Sequence, residues 1–126
     1  MTFKLKEITR INGKVTFYKL LINGEWRYKE FETLHGRGNF GRELVTIQSI
    51  LQNVADLITL PKKKWRNITP NKVATKEFEA KSSNLRVYCF KIKSGYVIVD
   101  GGQKNNQKSD ILRFRKIKND YFKSLI

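Results

Sequence analysis

One cysteine, one histidine and two prolines are all that these 126 residues contain of those types, and each scarcity closes a class of function. A lone thiol, Cys89, builds no disulfide framework within the chain and is expected to act as a small buried hydrophobe. A single histidine, His35, excludes a two-histidine ribonuclease mechanism and disfavours a Ser-His-Asp triad. In its loop beside Gly36 it reads as an ordinary loop residue rather than a general base. Paired Cys or Cys/His spacings are missing, as is a glycine-rich phosphate loop with its lysine. The 11 acidic residues are dispersed, which disfavours a two-metal nuclease. No metal and no small-molecule cofactor is expected. The longest apolar runs, such as Tyr96 to Val99, are far too short to span a bilayer, and the opening Met1–Glu7 lacks the apolar stretch of a signal peptide. No membrane partner and a cytoplasmic location are therefore expected.

What the chain has in excess is positive charge. Lys and Arg number 26 and the formal net charge is +15. The excess is uneven: residues 1–60 carry 9 basic and 6 acidic side chains, residues 61–126 carry 17 and 5. A field of that size recruits a polyanion by phosphate neutralisation, or an acidic protein partner. Excess lysine can also serve solubility alone, but that reading does not explain its concentration in one half. RNA is the expected polyanion. The length suits one domain with one core.

The periodicities point to an α+β fold. Residues 1–38 read as a β-meander and loop, in which Asn12-Gly13 and Asn23-Gly24 are hairpin turns separating Phe3 to Ile11, Lys14 to Ile22 and Glu25 to Phe31. A long amphipathic helix is predicted over 39–60, because Phe40, Leu44, Ile47, Leu51, Val54 and Ile58 make one apolar stripe, with Asn39 as N-cap and Pro61 as a stop. Lys62-Lys63-Lys64-Trp65-Arg66 falls in a polar connection. Residues 76–126 read as strands plus a C-terminal helix. The strands are Lys76 to Lys81, Leu85 to Lys93 and Tyr96 to Asp100; the helix, Ser109 to Leu125, has a stripe of Ile111, Phe114, Ile117, Tyr121 and Leu125.

Strand alternation places Lys81, Arg86 and Tyr88 on one sheet face, followed by Lys104 in the next loop and Arg113, Arg115 and Tyr121 on the last helix. Such a face can bind phosphates by charge and stack bases on aromatic rings. It can also cut, since RNA supplies its own nucleophile, the 2′-hydroxyl. The protein has only to align it, accept its proton, stabilise the phosphorane and protonate the leaving oxygen.

Three stretches carry a family resemblance: Phe78-Glu79-Ala80-Lys81, Asn84-Leu85-Arg86-Val87-Tyr88-Cys89-Phe90, and Gly95-Tyr96-Val97-Ile98-Val99-Asp100-Gly101-Gly102-Gln103-Lys104. Together they resemble the core of RelE/ParE-superfamily toxins of type II toxin–antitoxin systems, nearest the HigB-like branch, over roughly Ala74 to Tyr121. The resemblance implies an antiparallel sheet packed on helices on one face and open to RNA on the other, here with an N-terminal meander added. It implies metal-independent endonuclease activity on mRNA at the ribosome, and neutralisation by a cognate antitoxin. Matched position by position, Arg86 is the strand arginine, Lys81 a position often held by arginine, Lys104 the loop lysine, and Tyr121 a loose match to a C-terminal tyrosine. These four are the candidate catalytic residues. Tyr88, Arg113, Arg115 and Lys62, Lys63, Lys64, Trp65 and Arg66 are the candidate RNA contacts. The ParE branch inhibits gyrase without cutting RNA, so a non-nucleolytic inhibitor or a plain nucleic-acid-binding module is the alternative.

Blander roles compete at several positions. Arg86 has Glu77 and Glu79 as possible cross-strand ion partners. Lys104 in a polar loop is ordinarily just solvated, and the 62–66 run suits a solvated connection. Tyr121 on the apolar stripe belongs more naturally to the core than to an acid's role.

Overall fold

The two Asn-Gly pairs take different roles in the computed structural model, which describes residues 1–126. Strands β1 (Phe3–Glu7) and β2 (Thr16–Ile22) pair antiparallel from Phe3↔Ile22 to Glu7↔Tyr18. They are joined by the longer loop 8–15, not by a two-residue turn at Asn12-Gly13. That loop is tied to a neighbouring helix, where Gln52 Nε2 donates to Asn12 O at 2.8 Å and Val15 N to Ala55 O at 3.0 Å. Asn23-Gly24 does make the expected tight turn, with φ of 52° and 86°, and bridges Ile22 to Glu25.

No third meander strand follows. Residues Arg27–Gly36 form helix α1. The alternation of Trp26 and Tyr28 against Arg27 and Lys29 spans too few residues to separate a strand from a helix. In the helix, Tyr28, Phe31 and His35 recur at spacings of three and four and are buried together. Helix α2 spans Gly41–Ala55, shorter than the 39–60 expectation, and buries Leu44, Ile47, Ile50, Leu51 and Val54. Phe40, not Asn39, holds the cap position, and no side chain caps the helix. It stops before Pro61 is reached, because Leu57 turns left-handed (φ 62°) and Ile58 N reaches back to Asn53 O at 2.9 Å. Ile58 is left exposed.

The basic run contains a short strand, β3 (Trp65–Asn67). Strands β4 (Glu77–Lys81) and β5 (Leu85–Ile92) follow closely as read from the sequence. Strand β6 (Gly95–Gln103) runs past the expected end at Asp100, because Gly101, Gly102 and Gln103 still pair with Val87, Arg86 and Leu85. A 3₁₀ turn at Lys104–Asn106 leads into helix α3 (Gln107–Ser124). The sheet order is β1-β2-β6-β5-β4-β3. It is mixed and not wholly antiparallel: β2 runs parallel to β6 from Thr16↔Gly95 to Lys19↔Ile98.

Helices cover both faces, where one face was expected to be open. One core layer joins Phe17, Leu85, Val87, Cys89 and Ile98 to α1 and α2. The other joins Leu20, Tyr88, Phe90, Val97 and Val99 to Phe114 and Tyr121 of α3. Every residue from Leu85 to Phe90 is accordingly buried, as in a strand flanked on both sides. No helix is long and apolar enough to cross a membrane.

Candidate functional site: a cationic end of the sheet

Strand register brings three of the candidate catalytic residues to one end of the sheet. Lys81 of β4 lies opposite Arg86 of β5, and Arg86 lies opposite Gly102 of β6. Just beyond β6, Lys104 N donates to Asn84 O at 2.8 Å, which fixes the lysine's backbone against the β4–β5 turn. The basic run joins the same end, since Lys81 N donates to Lys64 O at 2.8 Å. Lys62, Lys63, Lys64, Arg66 and Lys104 are exposed and Lys81 is half-buried.

Arg86 sits at the inner edge of this group and is only 5% exposed. Its Nη1 donates to Ser82 O at 2.6 Å and to Leu85 O at 2.9 Å, whereas its Nε has no partner within the protein. The cross-strand ion pair with Glu77 or Glu79 does not form. Glu77 is instead held by Arg115 (2.8 Å) and Lys118 (2.6 Å), and Glu79 Oε2 accepts from Gln107 Nε2 at 2.7 Å. The guanidinium is clamped through Nη1 and its Nε is buried, so Nη2 is the nitrogen left to donate to a ligand oxygen.

The β4–β5 turn is held by a residue that the sequence marks only as acidic in the first turn of α2. Glu43 Oε1 accepts from Ser82 Oγ and Asn84 N, both at 2.6 Å, and Glu43 Oε2 accepts from Asn84 Nδ2 at 2.7 Å. Burial works against the charged carboxylate, but these bonds outweigh it and hold the Glu43 pKa below its ordinary value. Because Ser82 O anchors Arg86 and Asn84 O anchors Lys104, one carboxylate orders the backbone beneath two of the three cations. Its 39-residue separation from Ser82 left no local signal in the sequence.

The remaining candidates lie elsewhere. Tyr88 is fully buried and stacks on Phe114 at 5.8 Å, so it offers no face to a base. Its phenol is pushed well above the ordinary range, first by burial and then by the Asp110 and Glu79 carboxylates. Tyr121 packs in the α3 core against Phe3, Phe90 and Phe122, and burial raises its pKa as well. It is a packing residue and not positioned as an acid.

Arg113 and Arg115 were expected as phosphate contacts, yet both fasten α3 to the sheet. Arg113 pairs with Asp100 and Asp110, each at 3.0 Å, while Arg115 pairs with Glu77 and donates to Ile68 O at 2.8 Å. Trp65 is half-buried, stacked on Phe78 at 5.1 Å with Tyr96 at its edge. His35 is buried in α1 between Phe31 and Phe40, and Cys89 is fully buried as expected. No group of three or more His, Cys, Asp or Glu side chains is arranged to hold a metal ion.

What the geometry assembles is therefore a cationic end of the sheet, where the backbones of Lys81, Arg86 and Lys104 meet and the basic run at 62–66 borders them. No protein-family model matches the chain, and neither a curated protein nor a solved structure shows significant similarity to it.

Proposed function

We propose that this chain is the toxin of a bacterial toxin–antitoxin pair and cuts mRNA on the ribosome without a metal. The observation that carries the reading is the convergence of Lys81, Arg86 and Lys104 from two strands and a loop onto one end of the sheet. In the proposed reaction the RNA 2′-oxygen attacks the adjacent phosphorus, forming the O2′–P bond as the P–O5′ bond breaks. The products are a 2′,3′-cyclic phosphate and a free 5′-hydroxyl. Arg86 meets the non-bridging oxygens with the donors its backbone contacts leave over, where charge builds in the phosphorane. Of Lys81 and Lys104, one as the free amine accepts the 2′-hydroxyl proton and the other as the ammonium gives a proton to the departing 5′-oxygen. Lys62, Lys63, Lys64 and Arg66 hold the strand on either side by charge. An acidic segment of an antitoxin would silence the same surface, and its binding would weaken with salt.

One observation favours the alternative of binding without cleavage: Tyr121, the candidate tyrosine acid, is buried in the packing between α3 and the sheet. The discriminating experiment is induction of the chain alone in a bacterial host, with primer extension on abundant transcripts and Arg86→Ala as control. Cuts inside translated frames that vanish in a control shown by urea denaturation to be folded would support the ribonuclease. Growth arrest with intact transcripts would replace it by a non-nucleolytic inhibitor, such as a gyrase poison.

A further inference from the structure

A second polar cleft, of about 280 Å³, lies between α1 and α3 over the end of β6. Its floor is organised by Asp100, which is set at the β-bulge opposite Tyr88. Asp100 Oδ1 accepts from Gly101 N at 2.9 Å, and Oδ2 accepts from Arg27 Nε and Arg113 Nε, both at 3.0 Å. Arg113 Nη2 is further tied to Asp110 Oδ1 at 3.0 Å. Two guanidiniums are thus fixed through their inner nitrogens while 40% of each side chain remains exposed. Both outer nitrogens of Arg27 and one of Arg113 make no hydrogen bond within the protein.

The charge of the cleft decides against a second phosphate site. Arg27 and Arg113 are balanced by Asp100 and Asp110, and Glu30 adds a further carboxylate to the wall. His35, also in the wall, contributes no cation: burial lowers its pKa, which outweighs the opposite pull of Glu43. A neutral ligand that offers both acceptors and donors fits better. The outer edge of an arginine fork matches the O6 and N7 acceptors of guanine. The free Asp110 Oδ2 and the side-chain amides of Gln103 and Asn106 match its N1–H and amino donors. Leu34, 66% exposed on the rim, gives the base an apolar face to rest on.

The cleft also adjoins the cationic end of the sheet. Gln103 lines it on one side and lines a pocket with Asn84, Lys104 and Asn105 on the other. Gly102 lets Asp110 of α3 come close against β6 at this junction, because a Cβ there would stand 1.9 Å from Asp110 Oδ2. We propose that the Arg27–Asp110–Arg113 cleft is a nucleobase subsite that takes guanine from a nucleotide next to the phosphate held at Arg86 and Lys104. The location beside a scissile phosphate rests on the ribonuclease reading; the recognition of guanine does not.

The test is titration of the whole chain with guanosine, adenosine, cytidine and uridine, followed by amide chemical shifts. Guanosine is expected to shift Gly101, Gly102, Gln103 and Asn106 and to bind at least tenfold more tightly than the other three. Arg27→Gln and, independently, Asp110→Asn should each reduce that preference about tenfold, and should flatten any guanosine preference among transcript cut positions. Equal response to all four nucleosides, no response to guanosine, or unchanged selectivity in both folded variants would overturn the subsite. Selective guanosine binding alongside intact transcripts would retain the subsite and remove the ribonuclease. Cuts without base preference, together with unselective nucleoside binding, would do the reverse.

Discussion

Lys118 of α3 places its ammonium 2.6 Å from Glu77 of β4, with neither side chain more than 4% exposed. Arg115 completes the group from the same helix at 2.8 Å, so one buried carboxylate serves two cations. Lys118 Nζ also donates to Thr75 O at 2.9 Å, leaving the ammonium well satisfied. This cluster fastens α3 to the face of the sheet that the family resemblance implied was open.

Neutralising that carboxylate should loosen the helix. Glu77→Gln strands two cations, one of them fully buried, and is expected to destabilise the protein by about 3–5 kcal/mol. Urea denaturation measures this directly, and a loss below about 1 kcal/mol would show that the cluster is dispensable. Lys118→Met should do less damage, because Arg115 still faces Glu77.

Glu43 should control the order of the β4–β5 turn and thereby activity. Glu43→Gln exchanges charge-assisted bonds to Ser82 and Asn84 for weaker ones, a loss of about 1–3 kcal/mol. Its folded-state pKa is depressed, so its stabilisation is complete above the ordinary glutamate range. It disappears as pH falls through the lowered value. Stability measured across the acidic range should therefore fall less steeply in Glu43→Gln than in the parent chain. Parallel curves would dissociate the turn from this carboxylate.

Tyr121 offers a separation of packing from chemistry. Tyr121→Phe keeps the ring among Phe3, Phe90 and Phe122, and should leave RNA cleavage within about twofold of the parent (~0.4 kcal/mol). Tyr121→Ala should cost about 3–5 kcal/mol of stability through the cavity it leaves. Loss of cleavage in the phenylalanine variant, with stability preserved, would return the hydroxyl to the mechanism.

The basic run should reveal itself in salt dependence. If Lys62, Lys63 and Lys64 each meet a phosphate of single-stranded RNA, changing all three to Gln should flatten the slope of log affinity against log salt by about 2. An unchanged slope, measured by fluorescence anisotropy with a labelled oligonucleotide, would reduce the run to a solvated connection.

The local features were legible in the chain itself. The stripe through Leu44, Ile47, Leu51 and Val54 marked α2, Asn23-Gly24 marked its turn, and alternation marked β4 and β5 closely enough to set Lys81 beside Arg86. The 25–31 segment failed because seven residues fit either period, and only the burial of Phe31 with His35 resolves it as helix.

The rest depended on contacts between distant segments. The face of β5 that carries Arg86, Tyr88 and Phe90 was expected to be open to RNA, and only the packing of α3 covers it. The parallel pairing of β2 with β6 joins residues nearly 80 apart, as in Thr16↔Gly95, and leaves no trace in either strand. The same holds for charge. Composition alone makes this protein strongly basic and puts the excess in its second half. It takes the packing of α3 to commit Arg113 and Arg115 to Asp100, Asp110 and Glu77, while Lys81, Arg86 and Lys104 remain free of ion pairs. A cation's role is set by the nearest carboxylate in space, and that neighbour is chosen when α3 settles on the sheet.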